Sequence, residues 1–282
     1  MTAAQTNTSK DQSLRIAGGK VGVLLLHGLC GTPAEMRFVA MGLARAGYTV
    51  HAPQLAGHGD DNSGRWQDWY LSARQALNDI RKECDTVIVG GLCMGAILGL
   101  HLAARNPGKV QGVSLFSPTL WINGWAMPWT MRLFKLVRSR WLANFIHFPD
   151  AESLGIKCPR VRQFVKQALE TEGSDLGRSG VPATMVLEHR RMVDAAMKLL
   201  HRVKQPTLIV HSLEDDYANI NNAHYLQGEI HGKVDMVVLN DSYHMVTLDK
   251  QRQVVVDRTR AFIARIVEEV CHIATPALPV AA

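Results

Sequence analysis

Three residues far apart in the chain, Cys93, Asp215 and His244, are of the types that together carry out acyl chemistry. Cys93 sits in Gly91-Leu92-Cys93-Met94-Gly95, after the apolar run 86–91 and before the small, apolar segment 94–105. The run reads as a buried strand and the segment as a helix, which is the context a nucleophile turn requires. Flanking glycines let the backbone turn tightly, in a strained conformation that lifts Sγ above the sheet. A helix starting at Met94 places partial positive charge beside the sulfur and favours its thiolate.

A nucleophile of this kind needs a base, and the base needs an orienting acid. His244, among twelve histidines, stands in a loop directly after the last strand-like run, 234–239. His101, His189 and His201 read instead as core or surface residues. The acids Glu214, Asp215 and Asp216 follow the strand-like run 206–211. Asp215 is the first choice as the orienting acid and Asp216 the second. The loop 27–33 follows the earlier apolar run 21–26 and can aim the Leu29 N–H at the nucleophile. The Met94 N–H points the same way, and two fixed donors converging on one point form an oxyanion hole.

These loops demand a particular scaffold. Runs 21–26, 86–91, 110–116, 206–211 and 234–239 have the length and apolarity of strands, most of them buried on both faces. Helical patterns over 34–46, 65–83, 94–105, 219–227 and 251–271 alternate with them. The expected fold class is therefore α/β, with a mainly parallel twisted sheet flanked by helices. Residues 1–19 read as a disordered lead, 20–117 and 204–271 as the core, 118–203 as a helical cap, and 272–282 as a flexible tail.

Composition sets the outer limits. The 282 residues, 47% hydrophobic and 20% charged, suffice for a core of ordinary size. The net charge of +6 is spread along the chain and gives no nucleic-acid signature. The five cysteines are odd in number and dispersed, so neither a disulfide framework nor a structural metal is expected, and no cofactor motif occurs. No secretory signal or bilayer-spanning run is found, and the expected location is cytoplasmic.

Taken together, the motifs resemble a known superfamily. The loop 26–33, the second loop 52–59, Trp66 to Trp69, the acid loop 214–216 and the histidine loop 242–249 are similar to those of bacterial carboxylesterases and monoglyceride-lipase-like enzymes of the serine aminopeptidase S33 type. The resemblance implies the α/β-hydrolase fold, with the cap inserted after the strand that follows the nucleophile helix. It carries the nucleophile to Cys93, the acid to Asp215, the base to His244 and the oxyanion donors to Leu29 and Met94. The departure is cysteine where such enzymes usually carry serine. An acyl-cysteine is a thioester, open to water or to another acceptor, so the implied activities are hydrolysis of an ester or thioester and acyl transfer. A non-catalytic binding protein on the same fold is the third reading.

The segment 121–148 holds Trp121, Trp125, Trp129, Trp141, Phe134, Phe145 and Phe148. It suggests a small-molecule acyl substrate with an apolar group. Arg132, Lys135 and Arg138 fall on one face of a helical projection, which reads as a solvated face or as a peripheral lipid contact.

Overall fold

The computed structural model describes residues 11–58, 63–169 and 180–274. Strand β1 (Leu14–Ile16) leads into β2 (Val21–Leu26), helix α1 (Arg37–Arg45) and β3 (Thr49–Ala52). Then come α2 (Trp66–Glu83), β4 (Thr86–Leu92), α3 (Met94–Arg105) and β5 (Gly112–Phe116). The chain continues through the short helices α4 (Thr130–Leu133) and α5 (Arg140–Ala143), strand β6 (His147–Phe148), α6 (Pro159–Leu169), β7 (Val181–Pro182) and α7 (Ala183–Met197). It closes with β8 (Thr207–Ser212), α8 (Asn221–Glu229), β9 (Val234–Leu239) and α9 (Arg252–Ala274).

Seven strands form one sheet in the order β1-β3-β2-β4-β5-β8-β9. All neighbours run parallel except β1, which pairs antiparallel with β3. Every residue of β4, β5 and β8 is buried, as the apolar runs require for strands covered on both faces. One face packs on α2, α3, α7 and α8, the other on α1 and α9. The mostly parallel sheet flanked by helices is the α/β architecture expected from the alternation of patterns.

Two expectations are revised. Residues 14–16, placed in a disordered lead, form an edge strand, with Arg15 opposite His51; residues 1–10 and 275–282 lie outside the described set. The basic segment 132–138 does not make one continuous helix. A helical turn (Thr130–Leu133) passes into a 3-10 turn (Phe134–Leu136) and then into extended backbone at Val137. Phe134 is drawn into a small apolar cluster with Ala143, Ala183, Val186 and Leu187, and this packing sets the course of the chain.

Candidate active site

At the end of β4 the backbone reverses at Cys93 with φ 55° and ψ −115°, a conformation that costs a non-glycine residue about 1–3 kcal/mol. The surroundings hold it there. Its N–H donates to the Phe116 carbonyl of β5 at 2.9 Å. A Cβ on Gly91 would lie 2.3 Å from the Gly95 backbone, and one on Gly95 would lie 2.3 Å from the Leu26 carbonyl oxygen. Both glycines are therefore required by close backbone approach across the turn. Cys93 occupies the N-cap of α3, partly accessible from a cavity of about 400 Å³.

His244 is buried on the same cavity wall. Its Nδ1 lies 2.8 Å and 3.0 Å from the two carboxylate oxygens of Asp215. Nε2 is buried without a hydrogen bond of standard geometry, and Cys93 is a charge partner of the ring. Burial opposes a charge on the imidazole, but Asp215 and Cys93 outweigh it and hold the His244 pKa above its ordinary value. Asp215 is also desolvated. The His244 charge and hydrogen bond, together with the Ala218 N–H at 2.7 Å, nevertheless keep its carboxyl below the usual range. Tyr217 stacks on the His244 ring at 5.2 Å, and its N–H gives Asp215 a further donor at 2.9 Å.

Asp216, the second choice for the acid, is not the imidazole partner. It accepts the backbone N–H groups of His244 at 3.1 Å and Gly155 at 3.2 Å, and the Ser153 hydroxyl. It thus ties the histidine loop to the turn 153–155. Asp249 does the same from the other side, accepting from the backbones of Lys157, Cys158 and Tyr243 at 2.7, 2.9 and 2.8 Å.

Leu29 lines the cavity, and Met94 begins α3 immediately after Cys93. The Leu29 loop is braced from below. His27 Nδ1–H donates to the Gly28 carbonyl at 2.9 Å, and Nε2 accepts the Leu55 N–H at 3.1 Å, a pattern that needs a neutral ring. Burial keeps that ring neutral, with its pKa down at about 4. Thr32 caps the following 3-10 turn (Pro33–Met36), accepting the Ala34 N–H at 3.3 Å. Cys30 in this loop is a buried free thiol, and burial pushes its pKa well up.

Two residues of the cavity wall escape sequence reasoning. Glu35 accepts the Gly28 N–H at 2.8 Å, and burial pushes its carboxyl up to about 7. An acid in the first turn of a helix ordinarily reads as a solvated partner of the helix dipole, so its type gave no signal. His189 on α7 is buried, faces the cavity, and has neither ring nitrogen in a hydrogen bond of standard geometry. Burial holds its pKa at about 4, so the ring is neutral. Apart from such polar groups the wall is apolar, with Ile122, Met127, Met131, Phe148 and Leu154 among its residues. Among the described residues no group of three His, Cys, Asp or Glu side chains could hold a metal ion, and no helix is long and apolar enough to cross a membrane.

The Hydrolase_4 family pattern, described as serine aminopeptidase S33, matches residues 20–251. The chain belongs to this family. A thermostable monoacylglycerol lipase of Bacillus sp. (strain H-257) is 30% identical over 88% of this chain and 92% of its own length. A carboxylesterase of Bacillus subtilis (strain 168) is 24% identical over 88% of this chain and 94% of its own. Among solved structures, one reported for the metagenome-derived lipolytic enzymes LipS and LipT superposes with a TM-score of 0.74, at 27% identity, over 90% of this chain and 97% of that one. The family membership and this superposition identify the fold as that of the α/β-hydrolases, and the chain as a hydrolase of that family.

Proposed function

We propose that the protein hydrolyses carboxylic esters of apolar acyl groups through an acyl-cysteine intermediate on Cys93. The observation that carries this reading is the alignment of the strained Cys93 with His244, itself paired with Asp215, on the wall of a largely apolar cavity. The names of the similar monoacylglycerol lipase and carboxylesterase support lipid-type esters as substrates and water as the acceptor.

In this mechanism the Cys93 sulfur attacks the ester carbonyl as His244 holds the thiol proton on Nε2. The N–H groups of Leu29 and Met94 stabilise the negative oxygen of the tetrahedral intermediate. Collapse breaks the C–O bond, and His244 returns its proton to the departing alkoxide. Water, deprotonated by His244, then attacks the thioester, and the second tetrahedral intermediate expels the sulfur and releases the carboxylic acid. Asp215 keeps the imidazole oriented and stabilises its charged form throughout. Ile122, Met127, Met131, Phe148 and Leu154, from the segment that follows β5, form the cap that covers the apolar group.

The test is incubation with p-nitrophenyl esters of graded acyl length, followed by intact-mass measurement. Steady turnover that iodoacetamide abolishes, with the label on Cys93, is the expected result. A stoichiometric acyl adduct on Cys93 with little turnover would replace hydrolysis by transfer to another acceptor. Absence of both the adduct and thiol-sensitive turnover would overturn the covalent mechanism.

A further inference from the structure

A second cavity, of about 1130 Å³, opens where α1, α6 and α9 meet. Arg37, Arg45, Arg160, Arg252 and Arg260 line it, and no carboxylate does among the described residues. Like charges gathered around one groove make its potential positive and favour an anion there. Arg252 is committed to the protein, with its guanidinium 4.7 Å from the centre of the Phe38 ring and a hydrogen bond of 2.9 Å to the Leu248 carbonyl. Arg260 reaches Asp257 at 3.8 Å. Arg37, Arg45 and Arg160 have no ion-pair partner among the described residues.

The groove is also apolar. Helix α6 contributes no buried residue to the core, and Phe164 stands 69% exposed on it. Met41 on α1 and Val161 line the groove with it. A phosphate or other small anion would leave these side chains in water, whereas an alkyl chain ending in an anion covers them and meets the guanidinium groups with charge-assisted hydrogen bonds. The groove also adjoins the catalytic cavity, since Val165 and Leu248 line both. Leu248 belongs to the loop that carries His244.

We propose that this groove is a non-catalytic binding site for a fatty acid, the carboxylate product of the reaction above. The identification of the ligand as product rests on that reading of the reaction. The alkyl chain lies along Phe164, Val161 and Met41, and the carboxylate is held by Arg45 and Arg160.

The experiment is calorimetric titration with laurate below its micelle-forming concentration. The full chain, carrying Cys158→Ser so that the thiol near Arg160 cannot react, is first alkylated on Cys93 with N-butyl iodoacetamide, whose short chain occupies the catalytic cavity beside the sulfur. Saturable binding is expected, weakened tenfold or more by Arg45→Gln combined with Arg160→Gln. Met41→Glu, which puts a like charge in the groove, should weaken it similarly, with the fold of each variant checked by thermal melting. Dodecanol should bind at least tenfold more weakly than laurate. The proposal is overturned if the blocked protein does not bind laurate, if both variants bind it as the parent does, or if dodecanol binds equally well. Sedimentation with anionic vesicles but no binding of monomeric laurate would also overturn it, by assigning the arginines to a lipid surface. If no ester is turned over, the reading of the reaction falls, while the laurate titration decides the groove by itself.

Discussion

Glu35 Oε2 accepts the Gly28 N–H at 2.8 Å, so an acidic side chain braces the loop whose next residue, Leu29, is the proposed oxyanion donor. Burial raises the Glu35 carboxyl from 4.5 to about 7, which means that the folded protein holds this proton more tightly than the unfolded chain. The sign follows from linkage. Stability falls as pH rises from about 4.5 to about 7, and the penalty is complete above that range. Glu35→Gln removes the titration. Urea unfolding should show the parent losing about 1–3 kcal/mol relative to the variant between pH 5 and pH 8. Parallel pH profiles for the two proteins would refute this account of Glu35.

Asp215→Asn tests the orienting acid. An amide can still accept the Tyr217 and Ala218 N–H groups through its oxygen, so the acid loop should fold as before. It cannot stabilise a charged imidazole, and its NH2 group opposes the Nδ1–H tautomer. Ester turnover should fall on the order of 10³–10⁴-fold with little change in melting temperature. Asp216→Asn gives the contrast. Because Asp216 holds the His244 backbone and the Ser153–Gly155 turn, it should lower the melting temperature and cost less in turnover. An equal or larger loss of turnover at Asp216 would reverse the assignment.

What could be read from the sequence depended on whether a residue's role was local. Strands β4, β5 and β8 announced themselves because burial on both faces demands unbroken apolar runs. The loops of Cys93 and Asp215 follow such strands and that of His244 follows the apolar but only half-buried β9, so their order along the chain foretold their meeting. The choice between Asp215 and Asp216 was less visible, because adjacent residues differ only in which way the backbone turns them. Strand β1 was hidden because Leu14-Arg15-Ile16, paired at the sheet edge, is too short an apolar alternation to stand out from its polar neighbours. Glu35 and His189 were hidden for a different reason, since their environment is made by elements remote in the chain. Residues 130–143 have the least legible course, because their short helical turns are set by packing around Phe134 rather than by periodicity.

Gly95→Ala probes the strain stored in the nucleophile turn. The added Cβ would lie 2.3 Å from the Leu26 carbonyl oxygen at the end of β2 and 2.5 Å from that of His27 just beyond it, both main-chain atoms. Forcing them apart should cost about 3 kcal/mol in denaturant unfolding. It should also shift the Leu29 loop, so turnover should fall more steeply than the melting temperature. Gly99→Ala, four residues along the same helix, offers a control. Its Cβ would meet only the Val89 side chain, at 3.3 Å, and should be tolerated. Similar costs at the two positions would argue against a specific constraint at Gly95.

His189 combines burial and a neutral ring on the cavity wall, with the Thr119 backbone as a hydrogen-bond partner outside standard geometry. A buried ring whose hydrogen bond is poorly formed recovers little of its desolvation cost of about 1–3 kcal/mol, and an apolar residue of similar size removes that cost. His189→Leu should therefore raise stability by about 1 kcal/mol once the packing change is offset. If the ring meets a polar atom of the bound ester, the same substitution should raise KM severalfold with kcat nearly unchanged, the pattern of lost ground-state binding. His189→Gln, which restores a donor and an acceptor, should recover part of the KM. A stabilised His189→Leu enzyme with unaltered KM would reduce the residue to packing. A destabilised one would show that its nitrogens are satisfied in solution.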